Sequence, residues 1–131
     1  MANLTVGMTH TIDLAVTPEM TADQCGNPGV HVLASPKLLA LFEEAAIRAI
    51  APGLGQGEGS VGTNFQFKHM AATPVGMRVK VTATLAQVDG RRAVFSLQAS
   101  DEKETIAEGE HERFVIDMGR FLDRVAKKRG A

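Results

Sequence analysis

Glu43 is the residue whose setting most invites chemistry. Its neighbours one helical turn away in both directions are Leu39, Ala40, Ala46 and Ile47, all apolar. A carboxylate among apolar groups is costly to desolvate unless it is paired, and such settings are where acid–base groups are found. The alternative is a helix-flank glutamate that reaches solvent or a subunit partner, and periodicity supports both equally. His69 ends an alternating segment with Val61, Thr63, Phe65 and Phe67 on one face. A histidine there is a satisfied core residue or, where a helix bearing Glu43 packs on that face, half of a titratable pair. Ser35, just before Pro36, reads first as a helix N-cap and only second as a catalytic hydroxyl. His111 and Arg113 share a face of a later segment with Ala107 and Gly109. An inward arginine needs an anion, from the protein or from a ligand.

Other patterns carry less. Gly57-Glu-Gly-Ser-Val-Gly62 matches a dinucleotide-binding glycine pattern, but it follows a helix and precedes a strand, the reverse of that context. Gly62 reads instead as a point of close backbone approach. The histidines at 10, 31, 69 and 111 show no metal-ligand spacing, so no metal is expected. No GxSxG elbow is present. The one cysteine, Cys25, excludes an intrachain disulfide and a cysteine-rich zinc site, and points to a reducing compartment.

The elements that must position these residues are legible in outline. Residues 3–16 alternate weakly and read as an edge strand or two short ones. Residues 17–35 hold Pro18, Gly26, Asn27, Pro28 and Gly29 without a period, and a loop of this length is a functional lid or disordered. From Ser35-Pro36 a helix runs to about Ile50, where Pro52-Gly53 stops it. Its composition over 38–50 is apolar enough to predict burial on most of its circumference. Lys37, Glu44 and Arg48 define its polar stripe. The period then changes from helical to alternating. Strands are expected around 61–69, 77–85, 93–99 and 105–116, with turns at Asp89-Gly90 and Asp101-Glu104. A last amphipathic helix carries Met118, Phe121, Leu122 and Val125 on one stripe. One buried helix against an antiparallel meander is an α+β domain, expected to span 1–131 as one unit.

Composition narrows the function classes. The chain has 131 residues, 44% hydrophobic and 22% charged, which suits one globular domain. Fourteen Lys+Arg against fifteen Asp+Glu give a net charge of -1. That argues against a nucleic-acid binder, which needs a clustered basic surface. The longest apolar run, Leu38 to Phe42, is far too short to span a bilayer, and the first residues resemble no secretory signal. The expectation is a cytoplasmic protein without a membrane partner.

Several motifs in order carry a resemblance. Arg48-Ala-Ile-Ala-Pro-Gly-Leu54, Gly57-Glu-Gly-Ser-Val-Gly-Thr63, His69-Met-Ala-Ala-Thr-Pro-Val-Gly76, Val88-Asp-Gly-Arg-Arg92 and His111-Glu-Arg113 together resemble the fluoroacetyl-CoA thioesterase family of hot-dog-fold proteins. The likeness runs over roughly residues 36–131. It implies a hot-dog fold, a long central helix wrapped by an antiparallel sheet, and a homodimer with sites at the subunit interface. By position it implies catalytic roles for Ser35, Glu43 and His69, and substrate contacts for Gly62 and Arg113. Ser35 stands where that family has a threonine, keeping the hydroxyl but losing the methyl that stiffens χ1. The lid, about 18–34, is shorter than the family's and holds no phenylalanine, so the resemblance does not carry fluoroacetyl selectivity across.

The implied activity is hydrolysis of a short or small acyl-CoA thioester to free acid and CoA. No cofactor is needed, since coenzyme A is part of the substrate. Glu43 would activate water or attack the carbonyl, His69 would exchange protons, and Ser35 would orient one of them. A backbone N–H near Gly62 would face the oxyanion. An acyl-CoA hydratase is a weaker reading, because no aspartate lies near His69. A dimer that binds acyl-CoA without turnover is the non-enzymatic alternative.

Overall fold

The computed structural model of the chain describes residues 2–130. In chain order the elements are β1 (Thr9–Ala15), α1 (Ser35–Ile50), β2 (Glu58–His69), β3 (Arg78–Asp89), β4 (Arg92–Asp101), β5 (Thr105–Asp117) and α2 (Met118–Lys128). The strands form one antiparallel sheet in the order β1-β3-β4-β5-β2. Tight turns impose the central meander. Gly90, at φ +62°, closes β3 onto β4. The Asp101 carboxylate accepts from the backbone N–H groups of Lys103 and Glu104 at 2.8 and 3.0 Å and closes β4 onto β5. β2 therefore ends up on an outer edge, held only by β5.

α1 crosses the inner face of β1 and β3. Leu38, Leu41, Phe42, Ala45, Ala46, Ala49 and Ile50 are buried. They meet Val79, Val81, Ala83 and Leu85 of β3 and, behind them, Ala93, Phe95, Leu97 and Ala99 of β4. Period 3.6 on the helix and period 2 on the strands thus close one core. Each large side chain buried here contributes about 1.5–3 kcal/mol by removal from water. The helix is less enclosed than its composition predicts. Leu39 and Ile47 are 36% and 44% exposed, and they flank Glu43 on a face that none of the described elements covers.

Two further expectations need correction. The N-cap of α1 is Ala34, not Ser35, which is the first helical residue and makes no capping bond. Its hydroxyl is engaged elsewhere, as described below. The face of β2 also changes partway. The β2–β5 register shifts between Gly62 and Asn64, leaving Thr63 as the extra residue of a bulge. Phe65, Phe67 and His69 face inward as expected. One extra residue moves everything before it by one position, so Ser60 and Gly62, not Val61, turn towards α1.

The lid is folded. Two 3₁₀ turns, Pro18–Met20 and Ala22–Cys25, are followed by a return segment. Backbone bonds Ala22–Val32 (2.9 Å) and Ala34–Met20 (2.8 Å) close it on itself, and Leu33–Thr73 (2.9 Å) ties it to the strap after β2. Thr73 is fully buried and donates to Asp101 at 2.9 Å. α2 begins at Asp117, whose carboxylate accepts from Arg120 N–H at 3.0 Å. Of its stripe, Leu122 and Val125 are exposed, while Met118 lies over Gly59 of β2 and Phe121 lines a hollow against β5. No helix among the described residues is long and apolar enough to cross a membrane.

Candidate active site

Two clusters form where α1 passes β2. The first surrounds Arg113, whose side chain is only 4% exposed. Its Nη1 donates to Glu43 Oε2 at 3.0 Å, its Nε to Ser60 Oγ at 2.9 Å and its Nη2 to the Ser60 carbonyl at 2.8 Å. The anion required by an inward arginine is therefore Glu43. Burial draws the guanidinium below its ordinary range while the Glu43 carboxylate opposes that, and it stays cationic. The same Nη1 lies 3.0 Å from His111 Nε2, and His111 Nδ1 lies 2.9 Å from the Asn64 carbonyl. A guanidinium can only donate and a carbonyl can only accept. The ring is therefore neutral, with its proton on Nδ1. Burial, reinforced by the Arg113 cation, holds it below the usual imidazole range. Phe65 stacks on it with ring centroids 3.8 Å apart.

Gly62 is what admits the carboxylate to this cluster. A Cβ there would lie 2.8 Å from Glu43 Oε2, 3.0 Å from His111 Cε1 and 3.3 Å from Arg113 Nη1. Glu43 itself remains 40% exposed, so one side of the cluster is open.

The second cluster is Ser35 with His69. Ser35 Oγ lies 2.7 Å from His69 Nδ1, and His69 Nε2 is buried with no hydrogen-bond partner among the described residues. Burial lowers the tendency of this imidazole to take a proton. Beside the pair is a cavity of about 270 Å³ whose walls include Val30, Val32 and Leu33 of the lid and Met70. A larger hollow, of about 600 Å³, lies over Gly109 and the polar side chains of Gln66, Gln98 and Glu108, away from both clusters.

All five expected residues thus sit in one of the two clusters, Glu43, Gly62 and Arg113 in one and Ser35 and His69 in the other. The expected approach of His69 to Glu43 does not occur within one chain. Eight helical residues put Ser35 and Glu43 about 12 Å apart along α1, and no bond joins Glu43 to His69. Ser60 and His111 complete the Arg113 shell and were not selected from sequence. The inward turn of Ser60 depends on the Thr63 bulge, while His111 was marked only by its position two residues from Arg113. Among the described residues no group of three His, Cys, Asp or Glu side chains is placed to hold a metal ion.

The comparisons with known proteins agree with this architecture. The family model for the fluoroacetyl-CoA-specific thioesterase, FlK, matches residues 16–119. A fluoroacetyl-CoA thioesterase from Streptantibioticus cattleyicolor is 39% identical over 129 residues, covering 94% of this chain and 93% of its own. A threonine-to-serine variant of that enzyme type, solved in complex with acetyl-CoA, superposes with a TM-score of 0.86 at 39% identity, covering 95% of this chain and 98% of its own. A hot-dog-like protein from Thermanaerovibrio acidaminovorans gives 0.89 at 25% identity, over 96% of this chain and 93% of its own. With its helix wrapped by an antiparallel sheet, the chain has the hot-dog fold and belongs to the fluoroacetyl-CoA-specific thioesterase family of thioester hydrolases.

Proposed function

We propose that the protein hydrolyses a short or small acyl-CoA thioester to free acid and coenzyme A, at two equivalent sites built across a homodimer interface. The observation that carries this reading is the division of the site into two incomplete halves along the free edge of β2. Along its twelve residues, alternate N–H and C=O groups point outward without a strand partner among the described residues, an invitation to pair with another copy. Next to it, Leu39, Glu43 and Ile47 present an uncovered, mostly apolar helix face. Two β2 edges joined antiparallel about a centre between Phe65 and Gln66 would bring Gly62 of one chain opposite His69 of the other. The Glu43–Arg113 half-site of one protomer would then face the Ser35–His69 half-site of its partner.

In that composite site Glu43 takes a proton from water as the oxygen attacks the thioester carbonyl carbon. A backbone N–H at the Gly62 bulge meets the developing oxyanion, a role typically worth about 10²–10³ in rate. The C–S bond then breaks, and the proton that Glu43 took passes by way of the partner's His69, a residue lining the small cavity, to the thiolate. Ser35 fixes that ring through Nδ1. Arg113 holds Glu43 in place through its Nη1. The aliphatic lid wall and the 270 Å³ cavity suit a small acyl group.

Free-thiol release from acetyl-, fluoroacetyl-, butyryl-, hexanoyl-, phenylacetyl- and malonyl-CoA tests the activity, run beside Glu43→Ala. Loss of a general base costs about 10²–10⁴ in rate, so turnover by the variant within a few-fold of wild type removes Glu43 from the mechanism. No release from any thioester, with acyl-CoA still bound, leaves a binding protein. Subunit exchange tests the geometry. Glu43→Ala and His69→Ala homodimers are both inactive, but their heterodimer regains one intact site only if each site draws on both chains.

A further inference from the structure

Two of the sequence motifs hold charged residues that the reaction leaves without a task. They are Arg91 and Arg92, after the Asp89-Gly90 turn, and Glu112, between His111 and Arg113. Alternation places Glu112 and Arg92 on the outer face of the sheet, since their neighbours His111, Arg113 and Ala93 are buried. The turn sets their register. The Arg91 carbonyl accepts from the Val115 N–H at 2.8 Å, and its Nη1 donates to the Val115 carbonyl at 3.3 Å. Arg92 then donates from Nε to Glu112 Oε1. The other carboxylate oxygen, Oε2, accepts from Thr63 Oγ1 at 2.8 Å, and that hydroxyl also lies 3.2 Å from the Glu112 carbonyl. The bond from Thr63, and after it the bond from Arg92, holds the Glu112 carboxyl below its ordinary range. On the inner face, His111 reaches the Asn64 carbonyl from Nδ1 at 2.9 Å. Consecutive residues of β5 thus grip consecutive residues of β2 from opposite faces, His111 holding Asn64 and Glu112 holding Thr63.

We propose that Arg92, Glu112 and Thr63 are positioning residues for the hydrolysis, clamping from the outer face the bulge that presents Gly62 to Glu43. Its effect on turnover rests on the thioesterase reading; the clamp itself does not. Thr63 is the extra residue of the bulge and has no residue opposite it in β5. An interrupted ladder cannot fix such a residue, so side-chain bonds must. Bonds to a carboxylate are among the stronger ones available for this. The Arg92 and Glu112 side chains are 37% and 23% exposed, and a partly withdrawn pair is screened less than a surface one. The coupling to the site is short. One peptide joins Thr63 to Gly62, where a Cβ would already lie 2.8 Å from Glu43 Oε2. A bulge released from Glu112 can relax towards regular pairing, in which Ser60 and Gly62 would turn away from α1. Arg113 would then lose its Ser60 acceptors, and Glu43 its seat.

The experiment compares Thr63→Val, which keeps the shape and removes the hydroxyl, with Thr63→Ser, which keeps the hydroxyl. Valine is a good strand residue and position 63 is exposed, so the fold should persist. In Thr63→Val, kcat is expected to fall about tenfold, part of the roughly 10²-fold that a displacement of about 1 Å costs, with KM little changed. Thr63→Ser should turn over like the wild type. The Nδ1 proton of His111, read by nuclear magnetic resonance, reports on Asn64 from the far side of the sheet. It should exchange slowly in the wild type and in Thr63→Ser, and faster, at a shifted frequency, in Thr63→Val. If Thr63→Val fails to fold, Arg92→Met carries the same two measurements. Wild-type kcat in Thr63→Val, an unmoved His111 resonance, or an equal loss in Thr63→Ser overturns the clamp. Should the wild type hydrolyse no thioester, the thioesterase reading falls and the His111 resonance alone decides the clamp.

Discussion

Gly62→Ala is the most economical test of how the site is held. The new Cβ would meet Glu43 Oε2 at 2.8 Å, His111 Cε1 at 3.0 Å and Arg113 Nη1 at 3.3 Å. Ordinary contact begins at 3.4 Å, so the Glu43 oxygen must retreat by 3.4 − 2.8 = 0.6 Å. His111 is held by Phe65 and Asn64, and Arg113 by Ser60, so neither can yield easily. Glu43 is partly exposed and can swing outward, which breaks its bond to Arg113 and leaves that cation buried with a weaker counterion. Overpacking of this kind costs about 1–3 kcal/mol. Because Glu43 can relax into solvent, the lower half of that range is expected, a Tm loss of about 4–8 °C. The kinetic effect should be larger, since misplacing a reacting group by about 1 Å costs about 10²-fold. Thermal denaturation and kcat measured on the same preparation check both. A variant with unchanged Tm and turnover within threefold of wild type would refute the claim that Gly62 seats the Glu43 carboxylate.

Further outcomes follow from individual contacts. Arg113→Met should cost about 1–3 kcal/mol by leaving His111 Nε2 and the Ser60 acceptors without their donor, and should depress turnover together with stability, as read by denaturant midpoint and kcat. Gly109→Ala should lower stability further without touching the site, because a Cβ would run into the backbone of Gln66 and Phe67 in β2; a Tm within a degree of wild type would contradict the close β2–β5 approach. On acidification, His69 and His111 are both held below the ordinary 6.5 by burial, so the unfolded chain takes up these protons first. Their contribution to stability is complete above about pH 6.5 and is lost as pH falls through the lower folded values. Urea midpoints across pH 4–8 should drop on the acid side, and His111→Phe should flatten that drop. Ser35→Ala removes a 2.7 Å bond to His69 at a surface-accessible residue, so kcat should fall while Tm holds nearly constant.

Local chemistry was enough to reveal most of the elements. Pro36 and Pro52-Gly53 bounded α1, the alternation of Val79 to Leu85 and Ala93 to Ala99 marked two strands, and Asp89-Gly90 marked their turn. These are short-range signals, set by backbone sterics and by which side chains share a face. The motif resemblance named the fold and family correctly, and it drew attention to Ser35, Glu43, Gly62, His69 and Arg113 before their neighbours were known. What pattern cannot encode is register and enclosure. The Thr63 bulge reversed the faces of Ser60, Val61 and Gly62, because a strand's period is two and one extra residue inverts everything upstream. The sequence by itself determined that Glu43 would stand among apolar residues and that Arg113 would need an anion. Only the tertiary structure decided that each is the other's partner and that Ser35 serves His69 instead of capping its helix. It also decided that the Glu43 and His69 clusters lie apart, because the distance between two such groups depends on how helix and strand are laid against each other.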